Sequence, residues 1–108
     1  MRDEVRARLG VSEDNLAEFC QRWKITELSV FGSVLRDDFG PDSDIDLLVR
    51  YAPNVRRRLA DHTRLEEELT SMLGRKIDLC SKLGIEHSRN WLLKKIILES
   101  AELLYESR

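Results

Sequence analysis

Residues 31–49 read FGSVLRDDFGPDSDIDLLV, and the two aspartates set inside the apolar run at its end, Asp44 and Asp46, constrain the fold more than any other feature. Side chains alternate across a strand, so Asp44 and Asp46 project from one face, about 7 Å apart, while Ile45, Leu47 and Val49 project from the other into a core. Such acids either face water or take part in chemistry. Asp37, Asp38 and Asp42 precede them in a stretch with Gly40, Pro41 and Ser43, all turn formers, and there a solvated loop is the simpler reading.

The flanking sequence supplies a scaffold for that strand. Residues 12–23 place Leu16, Phe19, Cys20 and Trp23 at helical spacing behind a capping Ser12. Residues 26–31 alternate into Gly32 and Ser33 as a strand entering a tight turn, and 44–50 form the acid-bearing strand. From Leu59 to Leu73 one apolar face runs through Leu65, Leu69 and Met72 to a terminating Gly74. Residues 76–80 form a third strand and 90–106 a final helix rich in Leu and Ile. Three strands separated by helices imply an α/β (α+β) fold, a small sheet covered by helices. Spacing leaves open whether its strands are parallel or mixed.

With 108 residues, the sequence has the size of one domain, expected to span 1–108. A net charge of −2 removes any general attraction to nucleic acid or an anionic membrane, and no apolar run approaches the roughly 20 residues of a membrane span. Cys20 and Cys80 form no CxxC pair, so neither a disulfide framework nor a zinc site is indicated. Met1 to Gly10 is polar and charged, with no export signal, and a cytoplasmic location is the expectation.

Asp78, between Ile77 and Leu79, repeats the pattern of the acid strand. If the two strands are neighbours, Asp44, Asp46 and Asp78 converge on one side of the sheet. Three such carboxylates repel unless a cation neutralises them, and hard oxygen donors at that density suit Mg²⁺ or Mn²⁺, with room for two ions. Upstream, Gly32 allows close backbone approach, Ser33 offers a hydroxyl, residues 33–36 can begin a short helix that favours anions, and Arg36 adds positive charge. The pieces describe metal-assisted transfer at a nucleoside triphosphate.

Gly32, Ser33, ten residues, then Asp44, Ile45, Asp46 resembles the GS-x10-DxD arrangement of the polymerase-beta-like nucleotidyltransferases. Asp78 looks like the third carboxylate of that superfamily, and with LEEELTSMLGRKIDLC the chain looks closest to its minimal nucleotidyltransferase (MNT) group. The resemblance implies a small mixed sheet flanked by helices. It also implies that Asp44 and Asp46 hold both metals, that Asp78 holds one and assists deprotonation of the attacking hydroxyl, and that Gly32 and Ser33 contact the triphosphate. That group is often the antitoxin partner of HEPN ribonuclease toxins. Where the family reads GSxARG this chain reads GSVLRD, so Leu35 replaces Ala and Asp37 replaces Gly while Arg36 is kept.

Other sites are excluded or left as ordinary structure. An EF-hand fails because Leu47 and Pro53 stand where Gly and Glu are needed, and neither GxSxG nor GxxxxGK[ST] occurs. His62 reads as a satisfied helix residue and Arg56, Arg57 and Arg58 as solvated surface or a docking patch. The final helix carries more apolar residues than one stripe needs, leaving open extra core or a partner or dimer surface. Little chain remains to hold a large acceptor, which favours transfer of AMP from ATP, or of another NTP's nucleotide, to a hydroxyl of a partner protein, expected to be a HEPN-type toxin. The alternatives are a non-catalytic antitoxin that blocks its partner sterically, and transfer to RNA.

Overall fold

Strand β1 (Ile25–Phe31) is the element on which the sheet is assembled, because β2 (Ile45–Tyr51) and β4 (Glu102–Glu106) both pair with it antiparallel. Strand β3 (Ile77–Ser81) adds to β2 in parallel, giving the order β3-β2-β1-β4. A parallel neighbour requires a crossover, and α3 (Leu59–Leu73) provides it. The computed structural model describes residues 3–36, 39–40, 42–53 and 59–107, and within them a mixed four-stranded sheet flanked by helices. The remaining elements are α1 (Asp3–Leu9), α2 (Glu13–Arg22), a single 3₁₀ turn (Gly32–Leu35), α4 (Lys82–Glu86) and α5 (Trp91–Ser100).

The main core lies on one face of the sheet. Leu28 and Val30 of β1, Ile45, Leu47 and Val49 of β2, and Ile77 and Leu79 of β3 meet Leu16, Phe19 and Cys20 of α2 and Leu65 and Leu69 of α3. Fully burying each large apolar side chain contributes about 1.5–3 kcal/mol, which holds α2 and α3 against the strands. As the sequence predicts, Ser12 Oγ accepts the Asn15 N–H at 3.1 Å to start α2, and Gly74, at φ 66°, ends α3. Alternation puts Ser29 and Leu48 on the opposite face, where both are buried, as is Ile97 of α5. No helix among the described residues is long and apolar enough to cross a membrane.

The expected final helix over 90–106 is two elements. Helix α5 stops at Ser100, Ala101 turns extended (φ −62°, ψ 137°), and residues 102–106 become β4. The unpaired edge of β1 decides this: β4 supplies its second row of hydrogen bonds and brings Leu104 and Tyr105 against the main core. Tertiary pairing overrides the helix preference of Glu and Leu. The polar N-terminus, to which the sequence analysis assigned no element, forms α1 with Val5 and Leu9, four residues apart, fully buried.

Candidate active site

Cross-strand register brings the acids together. Phe31, the last residue of β1, is the partner of Asp46 in β2, and Asp46 is the partner of Asp78 in β3, so one row across three strands carries an aromatic ring and two carboxylates. Because Ile45 and Leu47 enter the main core, this row lies on the opposite face, the same one that α5 approaches through Ile97. Asp44 stands one residue ahead of β2 rather than inside it, at the mouth of the same face.

Gly32 is fixed by a steric fact. It adopts φ 76°, which L side chains rarely take, and a Cβ built on it would overlap Asp46 Oδ2 and lie 3.2 Å from Cγ. The close approach anticipated for a phosphate is made, in this structure, by the Asp46 carboxylate itself. Burial, and then the charges of Asp78 and Asp44, push that carboxyl above its ordinary range, while the Arg36 guanidinium pulls it back. The sequence thus brings Gly32, Arg36, Asp44, Asp46 and Asp78 to one place.

Ser33 has a specific partner: its hydroxyl donates to the Asp44 carbonyl at 3.2 Å, tying the turn to the entry of β2. Two arginines that spacing did not single out support the same region. Arg8 of α1 donates from Nη1 to the carbonyls of Val34 and Arg36, at 2.8 and 2.7 Å, and so clamps the 3₁₀ turn. Arg75, just before β3, donates to the Gly40 carbonyl at 2.7 Å and the Ser43 carbonyl at 3.3 Å. Both guanidinium groups lie over the Phe39 ring, 5.5 and 4.3 Å from its centre. The only sequence signal was each residue's charge, because their partners lie 26 to 35 positions away.

Cys80, two residues beyond Asp78, has its thiol pushed up by burial and then by Asp78, Asp46 and Glu66. His62 pairs with Glu66 at 2.9 Å on α3, as expected for a satisfied helix residue. The readings of Asp37 and Asp38 and of Arg56, Arg57 and Arg58 fall outside the described residues. On α5 the apolar surplus is exposed: Trp91 is 71% and Ile96 57% accessible.

The donor set fits a hard divalent cation. It consists of the carboxylate oxygens of Asp44, Asp46 and Asp78, with Asp46 raised first by burial and then by its two acidic neighbours, and a Gly32 cradle that seats one of them. Among the described residues no group of three or more acidic, histidine or cysteine side chains is close enough to form a metal site by itself.

A model of the nucleotidyltransferase domain matches residues 14–104. The protein adenylyltransferase MntA of Thermococcus cleftensis is 34% identical over 84 residues, covering 78% of this chain and 80% of the relative. A solved structure provisionally assigned as a minimal nucleotidyltransferase superposes with a TM-score of 0.65 at 34% identity, covering 91% of this chain and 90% of that one. A tri-AMPylated HEPN toxin of Shewanella oneidensis in complex with its MNT antitoxin matches with a TM-score of 0.60 over 95% of this chain and 73% of the other, and at 19% identity this likeness concerns the fold.

Proposed function

This chain belongs to the nucleotidyltransferase domain family, in its minimal nucleotidyltransferase group, and we propose that it transfers AMP from ATP to a hydroxyl of a partner protein of the HEPN toxin type. The observation that carries the enzymatic part is the row Phe31, Asp46, Asp78 with Gly32 seated against the Asp46 carboxylate. Mutually repelling acids held on a strand face are costly without a charge to neutralise, and a subunit without chemistry has no use for them. Asp44, Asp46 and Asp78 would hold Mg²⁺, two ions in this reading and Mn²⁺ as a substitute, supplying charge neutralisation at the α-phosphate and its leaving group.

The chain's own residues then divide the work. Arg36 and the turn it follows hold the triphosphate, and Arg8 fixes that turn from behind. Asp78, the most exposed of the row, takes the proton from the acceptor hydroxyl. The hydroxyl oxygen forms a bond to the α-phosphorus, the bond from that phosphorus to the bridging oxygen breaks, and pyrophosphate leaves. Ser33 holds the entry of β2 in place through Asp44. The resemblance of 34% to a protein adenylyltransferase supports a protein acceptor, as does the exposed apolar side of α5 beside the acid face.

The test incubates purified protein with Mg²⁺, ATP labelled at its α-phosphate and lysate of the cell it comes from, beside an Asp44→Asn, Asp46→Asn double variant. A protein band labelled by the wild type alone supports the reading. Label in RNA moves the acceptor class. No labelled macromolecule with any of the four nucleotides, while the chain still captures a partner, would assign it as a non-catalytic antitoxin subunit.

A further inference from the structure

We propose that the open edge of β3 is the dock for the acceptor. An extended, basic segment of the partner protein adds to the four-stranded sheet there as a further strand, antiparallel to β3, with its hydroxyl residue opposite Asp78. This inference rests on Asp78 receiving the acceptor's proton, and it names the form in which the acceptor arrives.

Three observations carry it. First, β3 is an outer strand of the sheet, and it is the strand that bears Asp78. The Ile45 N–H donates to the Lys76 carbonyl at 3.0 Å, so Lys76 and, by alternation, Asp78 turn their backbone groups toward β2. Ile77 and Leu79 turn theirs outward, and among the described residues neither makes a hydrogen bond on that side. Such a row pairs readily with an extended chain. Second, the register aims the hydroxyl. Asp78 makes no ladder bond on the outer side, and in an antiparallel pair the residue opposite such a position comes closest, with Cβ atoms about 4.5–5.5 Å apart on the same face. A hydroxyl there lies beside the Asp78 carboxylate, to which it gives its proton as its oxygen bonds the α-phosphorus and pyrophosphate leaves. Third, the residues on either side of it point to the other face, over the groove between β3 and α3. That groove measures about 480 Å³ and is lined by Thr63, Glu66, Glu67, Thr70, Lys76 and Ile77. Two glutamates against one lysine complement Lys or Arg beside the acceptor residue. The opposite edge, β4, lies three strand spacings from β3, ~14 Å, and a chain docked there cannot bring a hydroxyl to Asp78.

The decisive probe is the backbone of the acceptor. Short synthetic peptides centred on Lys-Tyr-Lys and on Lys-Ser-Lys are incubated with the full chain, Mg²⁺ and ATP labelled at its α-phosphate, and the label they take up is measured. N-methylation of the two flanking lysines, whose N–H groups face β3 in this register, should cut labelling by at least about tenfold. N-methylation of the central residue, whose N–H faces away, should leave it within about twofold. Glu67 is exposed on α3, so Glu67→Lys keeps the fold; it should lower labelling of the lysine-flanked peptide by about fivefold and raise that of a glutamate-flanked one. Any other N-methylation pattern, or an unchanged peptide preference in Glu67→Lys, overturns the dock. So do unlabelled peptides beside a labelled protein band from lysate, an outcome that leaves the enzyme reading standing. Label in neither peptide nor lysate removes the enzyme reading itself, and the dock falls with it for that separate reason.

Discussion

Asp46→Asn should make the metal-free protein more stable while abolishing transfer. Asp46 and Asp78 are register partners in adjacent strands, which sets their backbones about 5 Å apart and gives the scale of their charge separation. Two unit charges at that distance repel by ~3 kcal/mol at an effective dielectric of 20 and by ~0.8 kcal/mol in water. Asp78 is exposed, and solvent screening moves the pair toward the lower figure, about 1 kcal/mol. Asparagine keeps the shape that fits against Gly32 and removes the charge. For a domain of this size, that gain raises the melting temperature by about 4 °C. Thermal unfolding followed by circular dichroism in EDTA measures it. Adding Mg²⁺ at about ten times its dissociation constant should then stabilise wild type by ~1.4 kcal/mol and the variant far less, so the order of the two melting temperatures reverses. A metal-free variant no more stable than wild type would refute the claim that these acids repel on a shared face. An equal Mg²⁺ response in both proteins would place the ion elsewhere.

Gly32→Ala should cost about 1–2 kcal/mol from the left-handed backbone alone, and transfer should fall by far more than that, because the new methyl displaces the Asp46 carboxylate; chemical denaturation and labelling together separate the two effects. Arg8→Met removes both hydrogen bonds from Nη1 to the Val34 and Arg36 carbonyls and should destabilise by about 1–2 kcal/mol while raising KM for ATP more than it lowers kcat, read by steady-state kinetics. Burial would raise the Glu27 carboxyl, but hydrogen bonds from Lys82 and Arg50 override it and leave the group below its ordinary 4.5. A depressed acid contributes stability above that value and loses it as pH falls through the folded one, so the stability difference between wild type and Glu27→Gln in urea should shrink as pH falls below 4.5. Trp91→Glu should cut labelling of the protein acceptor by at least about tenfold and leave ATP affinity unchanged, as calorimetry would show.

Most of the acid site was legible because its information is local. Alternation placed Asp46 and Ile45 on opposite faces, helical spacing marked α2 and α3, and the Gly32-Ser33 turn announced itself by residue type. The convergence of Asp78 on Asp46 was conditional on the two strands being neighbours, and the parallel pairing of β2 with β3 meets the condition. The division of 90–106 was hidden because no Gly or Pro separates α5 from β4, and Leu103, Leu104 and Tyr105 satisfy either pattern; only an open edge on β1 distinguishes them. Helix α1 offered only Val5, Ala7 and Leu9 among charges, too few to mark a buried face. The contacts of Arg8 and Arg75 with distant carbonyls exist only after the chain has folded.

The clamp from Arg8 also bears on how such a protein can be dissected. The nucleotidyltransferase match begins at residue 14, whereas the guanidinium that grips the turn belongs to the helix before it. A fragment begun at residue 14 would retain Asp44, Asp46, Asp78, the Gly-Ser turn and all four strands, yet the 3₁₀ turn would have lost the hand that steadies it. Fusion partners and cleavage sites at the front end are therefore changes to the candidate site, although none of its three acids lies near them in sequence.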